Sequence, residues 1–201
     1  KNAELIQILP KVGFGFEEVG SITGEPCLGN PKPRLWRLKI SKGLVVWYGL
    51  KNEGSEAISK RLGKKKFEIP IGINIAKTNN EKTVSLDAGI ADYVKAFSKF
   101  TNIGDYYTIN ISCPNTYGGQ PFTEPYRLDK LLFKIDKIPT KKPIFLKIAP
   151  DLSKNQLDDV IGVVGKHKID GFVCTNLTKD RNNQKIAKKI IEKDIPEHGG
   201  I

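Results

Sequence analysis

The chain contains 201 residues, of which 39% are hydrophobic and 27% charged, a balance typical of one globular domain and unlike a disordered protein. Its three cysteines are widely spaced and it has only two histidines, so a disulfide framework and a zinc site are disfavoured and a reducing cytosol is expected. The formal net charge of +11 leaves nucleic acid or an anionic membrane surface open as partners.

The hydrophobic pattern predicts alternating strands and helices. Short apolar segments predict buried strands at residues 17–23, 69–75, 106–112, 143–149 and 171–176. Apolar residues at helical spacing predict helices at residues 87–100, 128–135 and 157–164, the last preceded by an N-cap at residues 151–153. Residues 24–50 interrupt the alternation with three prolines and a predicted hairpin at residues 34–40 and 44–48, an insert on a loop.

This alternation determines the expected fold class, α/β. Near-continuous apolar strands separated by helices favour a parallel sheet covered by helices. A doubly wound sheet and a barrel both fit the rhythm, but the chain has no G-x-G-x-x-G fingerprint, which weakens the Rossmann alternative.

Polar side chains follow the predicted strands at or near their carboxyl ends. In a β/α barrel these ends converge on one face, where active sites lie. Polar residues also occur where strands leave a hydrophobic core, and this structural explanation is sufficient for any single position. It explains less well why polar residues follow every predicted strand. A lysine among apolar neighbours, such as Lys147, needs an anionic or strongly polar partner. The set comprises Ser21, Thr23, Asn74, Asn110, Ser112, Cys113, Lys147, Thr175 and Asn176.

Cys113 stands out among the cysteines because polar residues surround it in the segment 110–116, Asn-Ile-Ser-Cys-Pro-Asn-Thr. It leaves its strand just before Pro114, so we expect its sulfur to point into a site from an exposed loop. A lone cysteine is more often a small apolar filler, and Cys27 and Cys174 fit that role better.

Several segments together resemble the dihydroorotate dehydrogenase family. They are residues 110–116, residues 147–153 (Lys-Ile-Ala-Pro-Asp-Leu-Ser), residues 72–75 (Gly-Ile-Asn-Ile), residues 29–35 (Gly-Asn-Pro-Lys-Pro-Arg-Leu) and residues 170–176 (Asp-Gly-Phe-Val-Cys-Thr-Asn). The resemblance covers essentially the whole chain. It implies a (β/α)8 TIM barrel that uses FMN to oxidise dihydroorotate to orotate in pyrimidine biosynthesis.

The chain has no methionine and stops in a glycine-rich turn, so we expect an internal piece of a longer protein. By the resemblance, the barrel is incomplete here, with its last two strands and the start of its first strand outside the chain. Residues 1–201 are then one partial FMN-binding domain, with the loop and hairpin insert at about residues 24–50.

The resemblance also implies roles for individual residues. Cys113 corresponds to the catalytic base, which removes a proton from C5 of dihydroorotate while a hydride leaves C6 for FMN. Lys147 would stabilise negative charge on the reduced flavin. The FMN contacts correspond to Lys1, Ser21, Asn74, Asn110, Lys147 and Thr175, and the substrate contacts to Lys1, Asn110, Asn115 and Asn176, with no metal. The chain departs from the family pattern near Val46 and Trp47, where an asparagine is absent, at Leu50 in place of phenylalanine, and at Leu177 in place of threonine.

The electron acceptor is predicted from two signals that disagree. Residues 147–153 resemble class 2 of the family, the quinone-reducing, membrane-associated branch. A cysteine as the catalytic base is instead typical of class 1, which uses fumarate or a partner subunit as electron acceptor. We expect a membrane quinone, because several segments outweigh one residue and the positive charge suits an anionic bilayer surface. The expected location is the cytoplasm, with peripheral binding to the cytoplasmic membrane as an alternative.

Four alternatives remain open from the sequence. They are a class 1 enzyme, a different FMN-dependent barrel oxidoreductase, a catalytically inactive scaffold, and a basic nucleic-acid-binding module. The last is disfavoured because no aromatic residues interleave with the lysine clusters at 64–66, 141–142 and 188–189, which we interpret as solvated. The oligomeric state is not indicated.

Overall fold

A computed structural model describes residues 1–183, 188–190 and 195–201. Its strands are β1 (Glu17–Ile22), β2 (Leu35–Leu38), β3 (Gly43–Val46), β4 (Ile71–Ile75), β5 (Tyr106–Asn110), β6 (Ile144–Ile148) and β7 (Gly171–Cys174). Its α-helices are α1 (Gly54–Leu62), α2 (Leu86–Ser98), α3 (Pro125–Ile135) and α4 (Lys154–Val164). All five predicted strands and all three predicted helices are confirmed, whereas α1 was not predicted.

The main sheet has five parallel strands in the order β1-β4-β5-β6-β7, which is also their order along the chain. Each connection therefore steps to the next strand in the same direction. Because parallel crossovers are right-handed, this places the connecting helices on one face of the sheet. A doubly wound sheet would instead reverse direction at a switch point. The strand order is that of consecutive β/α units in a barrel.

Local signals explain where the helices begin. The Ser85 hydroxyl accepts a hydrogen bond from the Ala88 backbone N–H at the start of α2. Ser153 and Gln156 form a reciprocal capping box at the start of α4, as the predicted N-cap required. In contrast, α1 has no side-chain cap and begins at Gly54, which explains why the sequence carried little signal for it.

The two faces of the sheet differ in chemistry. Alternate residues of β4, Ile71, Ile73 and Ile75, are fully buried in the core formed with the helices. The opposite, interior face carries polar groups, since Asn74 aligns with Thr108 and Asn110 aligns with Lys147. The carboxyl ends of five strands thus bring polar side chains to one edge, while the apolar face holds the helices.

Glycine allows close packing on the interior face. A Cβ atom on Gly72 would lie 2.1 Å from Cζ of Tyr106, so the Tyr106 ring crosses β4 where no side chain intervenes. The same ring contacts Phe145 edge-on, with the ring centroids 5.7 Å apart. Inward side chains of neighbouring strands therefore pack across the interior of the sheet.

The hairpin of β2 and β3 forms a separate antiparallel sheet within the predicted insert. Val46, at its end, makes an isolated bridge to Gly200 through hydrogen bonds of 2.8 and 3.0 Å. His198 packs against Trp47, with ring centroids 4.1 Å apart, and against Trp36 at 5.2 Å. The end of the described chain is thus held against the insert.

Two of the lysine clusters lie away from the polar edge. Residues 64–66 precede β4 and residues 141–142 precede β6, so both clusters lie towards the amino ends of the strands. Lys64, Lys66 and Lys141 are exposed. Within the described part of the chain, each helix is too short or too polar to cross a bilayer.

Candidate active site

Asn110 is the centre of a polar network at the carboxyl edge of the sheet. Its Nδ2 donates to Ser21 Oγ at 2.9 Å, and its Oδ1 accepts from Ser112 N and Oγ at 3.0 and 2.7 Å. Its backbone oxygen accepts from the Tyr93 hydroxyl at 2.8 Å. Asn176 Nδ2 donates in turn to Ser112 O at 2.9 Å. Polar residues at the ends of β1, β5 and β7 are therefore joined in one network.

Cys113 lies directly after this network, on the loop that follows β5. Its side chain is half-buried and packs against a small apolar cluster of Cys27, Leu50 and Ala76. The expected exposure of the loop is found at its tip, residues 117–119, whereas Cys113 itself is half-buried because this cluster covers it. Cys27 is buried, as expected of an apolar filler, but Cys174 is exposed on the edge strand β7 and does not have that role.

The electrostatic environment of the thiol contains opposing contributions. Burial raises the pKa of Cys113 above the ordinary value of 9.0. The backbone N–H of Asn115 and the ammonium groups of Lys1 and Lys179 act in the opposite direction, because each stabilises the thiolate. The thiol is therefore protonated at neutral pH in this state, yet it has donors and cations beside it that favour its anion.

Three lysines surround the loop that carries Cys113. Lys1 lies with its ammonium 5.7 Å from the Tyr48 ring centroid, and burial lowers its pKa while the nearby Cys113 thiolate would raise it. Lys77 is 5% exposed and donates to the Tyr117 backbone oxygen at 3.2 Å. Lys179 donates to the Pro114 backbone oxygen at 3.0 Å.

Sequence reasoning missed Lys77 and Lys179. Lys77 lies two residues beyond the end of β4, so the rule that selected Lys147 could have found it as well. Burial lowers the pKa of Lys77, and the carboxylate of Asp92 is the largest opposing influence. Lys179 had no such signal, because it follows β7 at a distance of five residues and reaches the loop only through tertiary contact.

Two interior residues have hydrogen-bonding capacity that the described residues leave unused. Asn74 is 3% exposed, and its Nδ2 donates to Glu18 Oε1 at 2.7 Å, whereas its buried Oδ1 has no partner. The side chain of Lys147, which is half-buried beside Asn110 in the sheet register, makes no hydrogen bond or ion pair within residues 1–183, 188–190 and 195–201. An unpaired buried acceptor and an unpaired ammonium on one interior face fit a polar ligand bound there.

Asn115 also has a buried oxygen without a partner. Its Nδ2 donates to the Val46 backbone oxygen at 3.1 Å, and its Oδ1 is among the unpaired buried atoms. In Asn176, by contrast, both amide atoms make hydrogen bonds within the protein. Its Nδ2 donates to the Ser112 backbone oxygen, and its Oδ1 accepts from the Leu177 backbone N–H at 2.8 Å. Asn115 therefore has more capacity for a ligand than Asn176 does.

Two of the predicted edge residues, Thr23 and Thr175, make their hydrogen bonds elsewhere and do not join the network. Thr23 is fully buried and binds Asn52, whose Nδ2 donates to its hydroxyl at 2.8 Å, so it connects β1 to the segment before α1. Thr175 is exposed, and its hydroxyl donates to the Asn176 backbone oxygen at 3.2 Å. Sequence position alone could not separate these two from the residues that meet.

Two cavities flank the loop after β5. One of about 10 Å³ is lined by residues that include Lys77, Asn110 and Cys113. A surface cavity of about 370 Å³ is lined by residues that include Asn115 and His198. Within the described ranges, no group of three or more histidine, cysteine, aspartate or glutamate residues could hold a metal ion.

Comparison with known proteins identifies one family. The sequence model of the family described as dihydroorotate dehydrogenase matches residues 1–201. A curated protein of Gloeobacter violaceus named dihydroorotate dehydrogenase (quinone) is 36% identical over 202 residues, which cover 100% of this chain and 54% of the relative. A protein of Thermus thermophilus with the same name is 39% identical over 188 residues, covering 92% of this chain and 53% of the relative.

Solved structures with a fold similar to this chain come from the same family. The ligand-free DHODH of Eimeria tenella superposes with a TM-score of 0.79 at 28% identity, covering 100% of this chain and 60% of that one. The ferulenol complex of the same enzyme gives a TM-score of 0.80 at 28% identity, covering 92% of this chain and 56% of that one. The chain spans about half the length of the curated relatives it matches. The expected fold, a TIM barrel that is incomplete in this chain, is confirmed by these neighbours.

Proposed function

Because this chain belongs to the dihydroorotate dehydrogenase family, we propose that it supplies the catalytic edge of an enzyme that oxidises dihydroorotate to orotate. The observation that carries the proposal is the position of Cys113. Its thiol lies beside a polar network that links the ends of three strands, with lysine ammonium groups around it. This combination suits removal of a proton from a bound substrate.

The proposed base is the thiolate of Cys113. Its sulfur would accept the proton from C5 of dihydroorotate, and it must first lose its own proton. Burial opposes that loss, while Lys1 and Lys179 favour it by stabilising the negative charge. An anionic substrate would also be drawn to this edge by the same cations.

The proposed cofactor is FMN. Bound FMN would supply the hydride acceptor for C6 of dihydroorotate. Asn74, with its unpaired buried oxygen, and Lys147, with its unpaired ammonium, are the residues best suited to hold the flavin ring. Ser21 and Asn110 are further candidates, whereas Thr175 would have to turn from its present exposed position.

The proposed substrate contacts come from Lys1, Asn110, Asn115 and Asn176. Asn115 is the strongest of the amide candidates because its buried oxygen is unpaired and can accept an N–H of the pyrimidine ring. The family's missing asparagine near Val46 is partly replaced, since the Val46 backbone oxygen holds the Asn115 amide in place. Leu50 contributes an apolar surface beside Cys113 instead of an aromatic ring.

We further propose a quinone as the electron acceptor. The relatives from Gloeobacter violaceus and Thermus thermophilus both carry quinone in their names. The cysteine at position 113 is the one feature that resembles class 1, and it concerns the proton rather than the acceptor. The high positive charge suits an enzyme that meets its quinone at an anionic membrane surface.

The decisive experiment uses the protein produced from its complete reading frame. The visible spectrum reports flavin, and orotate formation from dihydroorotate reports the reaction. We expect Cys113→Ala to abolish orotate formation while the flavin spectrum is retained, because the sulfur serves the substrate rather than the flavin. Cys174→Ala is the matched control, since Cys174 is exposed on β7. If Cys113→Ala keeps more than about a tenth of the rate, the lost transition-state stabilisation is under about 1.4 kcal/mol and Cys113 is not the base.

A second candidate is an FMN-dependent oxidoreductase that acts on a different dihydropyrimidine. Leu50 and Leu177 favour it, because apolar groups stand where the family has side chains associated with orotate. Turnover of dihydrouracil without turnover of dihydroorotate would support this candidate and refute the first. Flavin absorbance would not distinguish the two.

A further inference from the structure

The interior face of the sheet contains a carboxylate that the proposed reaction does not use. Glu18, in β1, is half-buried and accepts two short hydrogen bonds. Asn74 Nδ2 donates to its Oε1 and Thr108 Oγ1 donates to its Oε2, both at 2.7 Å. Thr108 is fully buried and Asn74 is 3% exposed, so these contacts are sheltered from solvent.

The carboxylate determines which way the Asn74 amide faces. A carboxylate accepts hydrogen bonds and cannot donate, so the NH₂ group of Asn74 must be the group that meets Glu18. The reverse orientation would place the Asn74 oxygen against a carboxylate oxygen. The Asn74 Oδ1 is therefore directed away from Glu18, and this is the buried oxygen without a partner.

A buried acceptor left unpaired is costly, which implies that a donor meets it in the working protein. Within the described residues no protein donor does so, although Asn74 is nine-tenths buried or more. A ligand group that only accepts hydrogen bonds would leave the oxygen unpaired. The Asn74 Oδ1 position consequently favours a ligand group that donates a hydrogen bond over one that only accepts.

We propose that Glu18 is a positioning residue that holds Asn74 as a hydrogen-bond acceptor, so that this position selects a ligand presenting an N–H donor. The inference rests on the proposed function for the identity of the ligand. Among the ring heteroatoms of an oxidised isoalloxazine, N3 alone carries a hydrogen, and N1, N5 and the two carbonyl oxygens accept. Glu18 therefore selects the flavin at its N3–H, acting through Asn74.

The test compares FMN with 3-methyl-FMN, which lacks that hydrogen. Each flavin is titrated into the flavin-free form of the complete protein, and binding is followed by quenching of flavin fluorescence. Loss of one buried hydrogen bond predicts that FMN binds about tenfold or more tightly than 3-methyl-FMN. Equal binding of the two flavins would overturn the proposal.

Variants of Glu18 distinguish the effect of the lost N3–H hydrogen bond from the steric effect of the methyl group in 3-methyl-FMN. In Glu18→Gln, the neutral side-chain amide both donates and accepts, so Asn74 can turn over and the preference for FMN should fall by about threefold or more. Glu17→Gln is the matched control, because Glu17 is the preceding residue of the same strand and faces the other side of the sheet. An unchanged preference in a folded Glu18→Gln protein would assign the discrimination to bulk and refute the role of Glu18. Glu18→Ala, which also frees the amide and adds no atoms, repeats the test should Glu18→Gln fail to fold.

The binding measurement is independent of the proposed reaction. A protein that binds FMN with the expected preference but does not turn over dihydroorotate would support the inference and refute the proposed substrate. A protein that turns over dihydroorotate but binds both flavins equally would refute the inference alone. A protein that binds neither flavin would refute the inference together with the cofactor.

Discussion

Asp92, in α2, is predicted to stabilise the two loops that lead from β1 and β4 to the candidate active site. It is 7% exposed, and its Oδ2 accepts from the backbone N–H groups of Gly24 and Thr78 at 3.2 and 2.7 Å. Its Oδ1 accepts from the Thr78 hydroxyl at 2.7 Å. Gly24 allows this approach, because a Cβ there would lie 2.5 Å from Asp92 Oδ1.

The expected cost of Asp92→Ala follows from these contacts. A hydrogen bond to a charged group contributes about 1.5–3 kcal/mol, and three donors lose their partner in a buried position. Lys77 also loses its largest stabilising charge. Since the loops can relax and admit some water, we expect a net loss of about 3–5 kcal/mol in the free energy of unfolding. That is a large share of the ~5–15 kcal/mol typical of a folded protein.

Urea unfolding of the complete protein, followed by far-UV circular dichroism, measures this loss as a shift of the midpoint at constant m-value. The matched control is Asp159→Ala, because Asp159 is exposed in α4, and it should change stability by less than about 0.5 kcal/mol. A loss below about 1 kcal/mol for Asp92→Ala would refute the reasoning. It would mean that water replaces Asp92 at all three donors.

Three further predictions concern the base, the interior packing and the acceptor. Because burial raises the pKa of Cys113 above 9.0, kcat/KM for dihydroorotate should climb with pH through pH 9, at about tenfold per pH unit below the pKa; a flat profile from pH 6 to 10 would contradict a thiolate base. Gly72→Ala places a Cβ 2.1 Å from the Tyr106 ring and should lower the free energy of unfolding by about 1–3 kcal/mol. The control Gly162→Ala, in α4 with open space around it, should raise the free energy of unfolding by about 0.5–1 kcal/mol. Equal effects of the two substitutions in urea unfolding would refute the contact between Gly72 and Tyr106. Stopped-flow absorbance should show that a short-chain quinone reoxidises the reduced protein quickly and fumarate negligibly, and the reverse result would assign the protein to class 1.

The sequence alone determined the alternation of strands and helices, because that pattern depends on neighbours within a few positions. Strand β4 shows this, since its apolar run predicted a buried strand and every one of its residues is buried. The cap at Ser153 likewise needs only Gln156 three residues later. The edge at which Asn110 and Asn176 meet also followed, because parallel strands bring their carboxyl ends to the same side.

The tertiary structure decided which of those edge residues are hydrogen-bonded to one another. It also decided which atom of each side chain donates a hydrogen bond and which accepts one. Thr175 was indistinguishable from Asn176 in sequence, yet its hydroxyl is exposed outside the network. The orientation of Asn74 depends on Glu18, 56 positions away, and Glu18 is in turn bound by Thr108, 90 positions away. Hydrogen bonds between residues so far apart leave no periodic signal along the chain. Their direction is determined only when the folded strands bring a carboxylate, an amide and a hydroxyl within bonding distance.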